Sequence, residues 1–166
     1  MYFKVMEKMI EYFGNDVKRI NHALKVFSFA SLIAEKEIGS DIFLKNVVYF
    51  AGLLHDIGIK EAERKYNSNA GKYQEIEGPE IAENILREFY ISDDIISRVS
   101  FIIGNHHSYD RIDGVDFQIL VEADFLVNIF EDGMQLNAIE GVREKIFKTE
   151  TGKKLLETMF LKNIKN

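Results

Sequence analysis

The chain has 166 residues, 46% of them hydrophobic and 29% charged, with a formal net charge of −6. That length and balance fit one globular domain with its own core and exclude a disordered or low-complexity chain. An acidic balance without a basic stripe excludes the usual footprint of a nucleic-acid-polymer binder, and no apolar run approaches the roughly 20 residues of a membrane span.

Cysteine is absent, which removes disulfides, thiolate zinc sites and cysteine nucleophiles together. A reducing, cytoplasmic location is the expectation. The opening stretch MYFKVMEKMIEYF is interrupted by Lys4, Glu7, Lys8 and Glu11 and is expected not to be a signal peptide. One proline and abundant Leu, Ile, Glu, Lys and Ala favour helices.

Residues 3–13 read as a short amphipathic helix ending at Gly14. Asn15 or Asp16 caps a second helix to about Ile38, with Ile20, Ala23, Leu24, Phe27, Ala30 and Ala34 at helical spacing. His22 begins a second inward row with Val26, Phe29 and Ile33. Asp41 starts a third helix, 42–57, which carries His55 and Asp56 and stops at Gly58. Residues 59–77 are expected to be surface loop with short helical pieces. Gly78-Pro79 then opens a helix, with Pro79 at its first position and Glu80 and Glu83 in its first turn. Ser92-Asp93-Asp94 caps another, which ends in Asn105-His106-His107. Asp113-Gly114 marks a turn, and Asp116 caps the apolar helix FQILVEADFLVNIF, closed by Glu131-Asp132-Gly133. Two shorter helices follow near 135–147 and 151–161, and the tail 163–166 is expected to fray. No segment alternates with period two. The expectation is an all-α, single-domain helical bundle over 1–166, its core at about 15–133 with the C-terminal helices packed on it.

The chemistry centres on Phe50–Lys60, FAGLLHDIGIK, where His55-Asp56 ends an apolar run. A buried carboxylate without a partner is costly enough to neutralise instead; a metal ion satisfies both groups. Adjacent helical residues differ by about 100° in direction, so the pair reaches one ion only from a helix end. Asp124 lies in the most apolar helix of the chain, whereas Glu122 is expected to point the opposite way, towards water. Taken singly, His22 also reads as a core-edge histidine, Asp56 as a turn cap, and Asp124 as the partner of an arginine or histidine. There is no P-loop, no serine-histidine-aspartate arrangement with a glycine elbow and no dinucleotide fingerprint.

His22, the His55-Asp56 dyad in LLHDIGIK, Asp124 in EADFL and the helix end Asn105-His106-His107 together resemble the HD superfamily of metal-dependent phosphohydrolases. The resemblance spans roughly Asn15 to Gly133. It implies a helical bundle with a divalent ion held by His22, His55, Asp56 and Asp124, with Asp56 and His106 as the catalytic pair. Nitrogen and oxygen ligands suit Mn, Fe, Co, Ni, Zn or Mg. Some members hold two ions with additional histidines; no histidine lies between Asp56 and His106, so one ion is favoured. The expected substrate is a small phosphorylated molecule, a nucleotide or phosphomonoester, with Lys60, Arg64, Lys72 and His107 at the phosphate and Lys65 and Arg111 as further cations nearby. Competing expectations are a two-iron oxygenase of the same scaffold and a non-catalytic sensor of metal or nucleotide. Oligomeric state is left open.

Overall fold

The computed structural model describes residues 1–162. It contains α1 (Tyr2–Phe13), α2 (Val17–Glu37), α3 (Ile42–Leu54), α4 (Ile59–Tyr66), α5 (Gly71–Glu88), α6 (Asp93–Ile103), α7 (Val115–Glu131), α8 (Leu136–Lys145) and α9 (Glu150–Leu156). A short 3₁₀ turn, Tyr109–Arg111, precedes α7, and a π turn, Glu157–Leu161, follows α9. No strand occurs among the described residues. The expectation for the tail at 163–166 lies outside them.

Local chemistry sets the early boundaries. The Asp16 carboxylate accepts the Arg19 N–H at 3.2 Å and opens α2, and Asp41 accepts the Leu44 N–H at 3.0 Å and opens α3. Each satisfies a donor that a helix start leaves unpaired. The centre of the bundle is α2 packed on both α3 and α7, with α6 on the far side of α3. Phe50, Phe117, Phe147 and Met9 fill the core. Gly52 allows the closest approach of α2 and α3: a Cβ there would sit 3.1 Å from the Phe27 Cα. That spacing brings His22 and His55 within reach of each other. No single helix among the described residues is long and apolar enough to cross a membrane. The nearest match is α3 with α4, bent by 42°, and the apolar side chains of α3 from Val47 onward are buried in the core apart from the half-buried Tyr49.

Four expectations change. The third helix stops at Leu54, not at 57, so His55, Asp56, Ile57 and Gly58 form a tight turn held by the Ile57 N–H to the Leu54 carbonyl at 3.0 Å. Residues 59–77 are largely helical rather than loop. Asn67 at φ 50° ends α4, and Tyr66 and Tyr73 stack at 4.2 Å across the break. Pro79 lies inside α5 and does not start it, so Glu80 and Glu83 are mid-helix. The reason is packing: a Cβ on Gly58 would sit 2.6 Å from the Gln74 carbonyl oxygen and from the Gly78 nitrogen. The turn after α3 therefore presses directly on the middle of α5, and that contact sustains a helix across the proline. Asp116 does not cap α7 but is buried in its first turn, where Arg98 grips it at 2.7 Å.

Glu122 is the largest correction. It does not reach water: it is completely buried. Its carboxylate accepts the Lys148 and Thr149 backbone N–H groups at 2.6 and 2.9 Å, the Gln118 amide at 2.7 Å and the Thr149 hydroxyl. Thr149 is itself the N-cap of α9, its hydroxyl accepting the Gly152 N–H. Glu122 thus fastens the start of α9 onto α7, and α9 covers the face that the sequence assigned to solvent.

Candidate metal centre

Five polar side chains converge from four parts of the chain. His22 comes from the second turn of α2, His55 and Asp56 from the turn after α3, His106 from the turn after α6, and Asp124 from the middle of α7. His22 Nε2 lies 3.2 Å from His55 Nε2 and 3.1 Å from Asp124 Oδ1. Asp56 Oδ2 is 3.6 Å from His22 Nε2 and 3.5 Å from His55 Nε2. His55 Nε2 is 3.7 Å from Asp124 Oδ1. Asp56 Oδ1 turns the other way, 3.4 Å from His106 Nε2.

The outward nitrogen of each of these histidines is already engaged. Nδ1 of His55 faces the Gly52 carbonyl at 3.2 Å, Nδ1 of His106 the Ile103 carbonyl at 2.7 Å, and Nδ1 of His22 the Glu131 carboxylate at 2.9 Å. Those partners only accept, so each Nδ1 carries the proton and each neutral ring turns the Nε2 lone pair inward. Lone pairs and two carboxylates facing one point repel unless a cation sits between them. Donor atoms held about 2.0–2.2 Å from one ion lie roughly 2.8–3.6 Å from their neighbours in octahedral or tetrahedral arrangements. The distances above span 3.1–3.7 Å, so the donor set fits a divalent ion. His22, His55 and Asp56 can hold one ion, and Asp124 borders both of its histidines; Asp56, His106 and His107 form a second group of the same kind.

Without a cation, protons do its work. Burial opposes charge on His22, but Asp124, Asp56 and Glu131 outweigh it and raise the ring to about 9. Burial also opposes charge on His106; Asp56 raises it nonetheless. Asp56 and Asp124 are held below the usual carboxylate range by the surrounding imidazoles, against the cost of burial. Burial keeps His55 neutral. Burial and then the neighbouring His106 push His107 down to about 4.

These shifts set a pH profile for the metal-free protein. On unfolding below pH 6.5, His55 and His107 take up protons that they lack when folded, so stability falls as the pH drops. Above pH 6.5 the unfolded chain releases protons that His22 and His106 retain when folded, so stability falls again towards pH 9. A chelator-treated sample should melt highest near pH 6.5. An ion replaces the Nε2 proton of His22, so the stabilisation by added metal should grow from pH 6.5 to 9. Thermal melts with and without chelator across pH 5–9 check this; a metal increment that shrinks with rising pH would contradict it.

Of the residues expected at the phosphate, only His107 borders the centre. Its ring lies 4.0 Å from that of His106, and a Cβ on Gly71 would meet it at 2.5 Å. Three others are engaged elsewhere. The Lys60 ammonium donates to the Tyr12 carbonyl at 2.8 Å, Arg64 pairs with Glu61, and Lys72 lies over the Tyr73 ring at 4.7 Å. Lys65 pairs with Glu77, and Arg111 is exposed at the end of the 3₁₀ turn. Because α4 is a helix, Lys60, Arg64 and Lys65 fall on faces where acidic and aromatic neighbours take them. The sequence reading missed Asn128, which donates to Asp124 Oδ1 at 2.9 Å, and Glu131 behind His22. The signal was present: Asp124, Asn128 and Glu131 are spaced i, i+4, i+7, one face of a helix. Glu75 anchors this wall, accepting the His107 N–H at 3.0 Å and the Ser108 hydroxyl at 3.1 Å.

The family model described as HD domain matches residues 19–157, a span holding all five converging side chains, His107 and Glu131. The chain belongs to the HD domain family. A solved structure of a predicted HD superfamily hydrolase from an uncultured Thermotogales bacterium is 26% identical to this HD domain. The similarity covers 93% of this chain and 82% of that one, with a TM-score of 0.65. No curated protein matches the sequence. The family match leaves out α1, which packs on α3 beside the HD core.

Proposed function

We propose that this HD domain protein is a metal-dependent phosphohydrolase acting on a small phosphorylated molecule, a nucleotide or phosphomonoester, in the cytoplasm. His22, His55, Asp56 and Asp124 are the metal ligands in this reading. The observation that supports it most is the set of three inward Nε2 atoms whose rings are pinned through Nδ1, facing two partly buried carboxylates. A divalent ion held there would supply Lewis acidity towards a phosphoryl oxygen and a more acidic water.

The chain's own residues would do the rest. Asp56 Oδ1 and His106 Nε2, 3.4 Å apart, form a pair able to take the proton of the attacking water and return one to the leaving oxygen. His106 Nε2 makes no protein hydrogen bond, which would leave it free for that transfer. His107 is neutral at pH 7 because its pKa is lowered to about 4; it would hydrogen-bond a phosphate oxygen without adding charge. The ring of Tyr109, 5.4 Å from that of Phe125, would form part of the wall on the same side. With Lys60, Arg64 and Lys72 engaged elsewhere, the phosphate charge falls to the ion itself.

The test pairs metal content with phosphate release from a panel of nucleotides and phosphomonoesters. About one ion per chain, and release that a chelator stops, is the expected result. Metal-loaded protein that releases phosphate from none of them would end the phosphohydrolase reading. A second reading has two ions. It is favoured by Asp56, His106 and His107 lying within 4.8 Å of one another, with both histidine Nε2 atoms buried and unpartnered. About two ions per chain would select it, and two irons would bring oxygen chemistry forward.

A further inference from the structure

The three histidines of the centre are not held alike. His55 and His106 donate to carbonyls three residues back in their own segments, partners that no substitution removes. His22 instead donates to a side chain from another helix, Glu131 at the end of α7, with 2.9 Å between His22 Nδ1 and Glu131 Oε2. The second oxygen of Glu131 accepts from Lys25, one turn after His22 on α2. So α2 supplies both the ring and the cation that flank one carboxylate of α7.

Asp124 Oδ1 lies 3.1 Å from His22 Nε2 and competes for the proton of the ring. A neutral imidazole carries only one. Once an ion displaces the second proton that the metal-free ring holds on Nε2, Glu131 keeps the remaining proton on Nδ1 and the Nε2 lone pair faces the centre. Without Glu131, the proton moves to Nε2, bonds Asp124 and closes the ligand atom. The ring also loses the contact that fixes its rotation. We infer that Glu131, backed by Lys25, is a positioning residue that sets the tautomer and orientation of His22 and thereby the metal affinity of the site. This rests on the ligand reading proposed above.

The test is zinc affinity of the full chain, measured by competition with a chromophoric chelator. Glu131→Ala should bind zinc about 10–100-fold more weakly, the usual cost of losing such an outer partner. Glu131→Gln, whose amide oxygen still accepts from Nδ1, should recover most of that loss. In the zinc-loaded protein, the His22 Nδ1 proton should exchange slowly in the wild type and Glu131→Gln, and rapidly in Glu131→Ala, by long-range ¹H–¹⁵N spectroscopy. Melting of the metal-free variants checks that they fold. Wild-type affinity in Glu131→Ala beside lost affinity in His22→Ala overturns the positioning role and leaves the ligand reading standing. A Glu131→Gln variant no better than Glu131→Ala overturns it as well. Wild-type affinity in both His22→Ala and Glu131→Ala overturns the ligand reading itself.

Discussion

Asp124→Ala should purify without metal and without metal-dependent activity, yet keep its helical content. The carboxylate enters from the middle of α7 and touches both His22 and His55, so its loss opens one side of the donor set. As a direct ligand it should cost well beyond the 10–100-fold in affinity that an outer partner costs. The fold should survive because the residues flanking Asp124, from Leu120 to Ala123 and from Leu126 to Val127, are buried among the other helices and are unchanged. Elemental analysis of wild type and variant from the same preparation gives the answer. Equal metal content would sink the ligand assignment, whatever happens to turnover.

Glu122→Ala, two residues away, should do the reverse: retain the metal and lose stability. Removing this carboxylate takes the acceptor from two backbone N–H groups and the Thr149 hydroxyl, whereas the Gln118 amide keeps the Ile146 carbonyl. Each unsatisfied buried donor costs about 1–3 kcal/mol, and water entering the gap relieves part of it. A net loss of about 3–5 kcal/mol is expected for three such donors after that relief. For a domain of this size that lowers the melting point by about 10 °C. Thermal unfolding with metal content measured alongside separates the two effects. An unchanged melting point would mean that α9 is held by its apolar contacts alone.

The contrast between these two acidic residues also marks what the sequence could and could not reveal. His22, the dyad and Asp124 stood out because each is polar where its helical period calls for an apolar side chain. Glu122 sits in the same apolar helix and was assigned to solvent, because periodicity measures how wide a buried face is, not which later helix will cover it. Glu131 was hidden by its position: an acidic residue at a helix end before Gly133 reads as a stop signal. The segment 59–77 was misread through composition. Its polar residues suggested loop, and Gly78-Pro79 suggested a start, but the glycine is there to admit the turn that carries the dyad. Cations such as Lys60 and Arg64 were placed by proximity in sequence, whereas their direction depends on helix phase, which the irregular turn at 55–58 resets.

The candidate ligands are far apart along the chain: 102 positions separate His22 from Asp124. An ion gripped by both closes a loop of that length, as a covalent cross-link would, and the entropy it removes from the unfolded chain grows with the logarithm of the loop. The order of synthesis matters too. A growing polypeptide cannot assemble the site before Asp124, about three-quarters of the way along this sequence, has been made. An ion held by both residues would therefore be captured after α2 to α6 have been made, an audit of helices already formed rather than the seed around which they form.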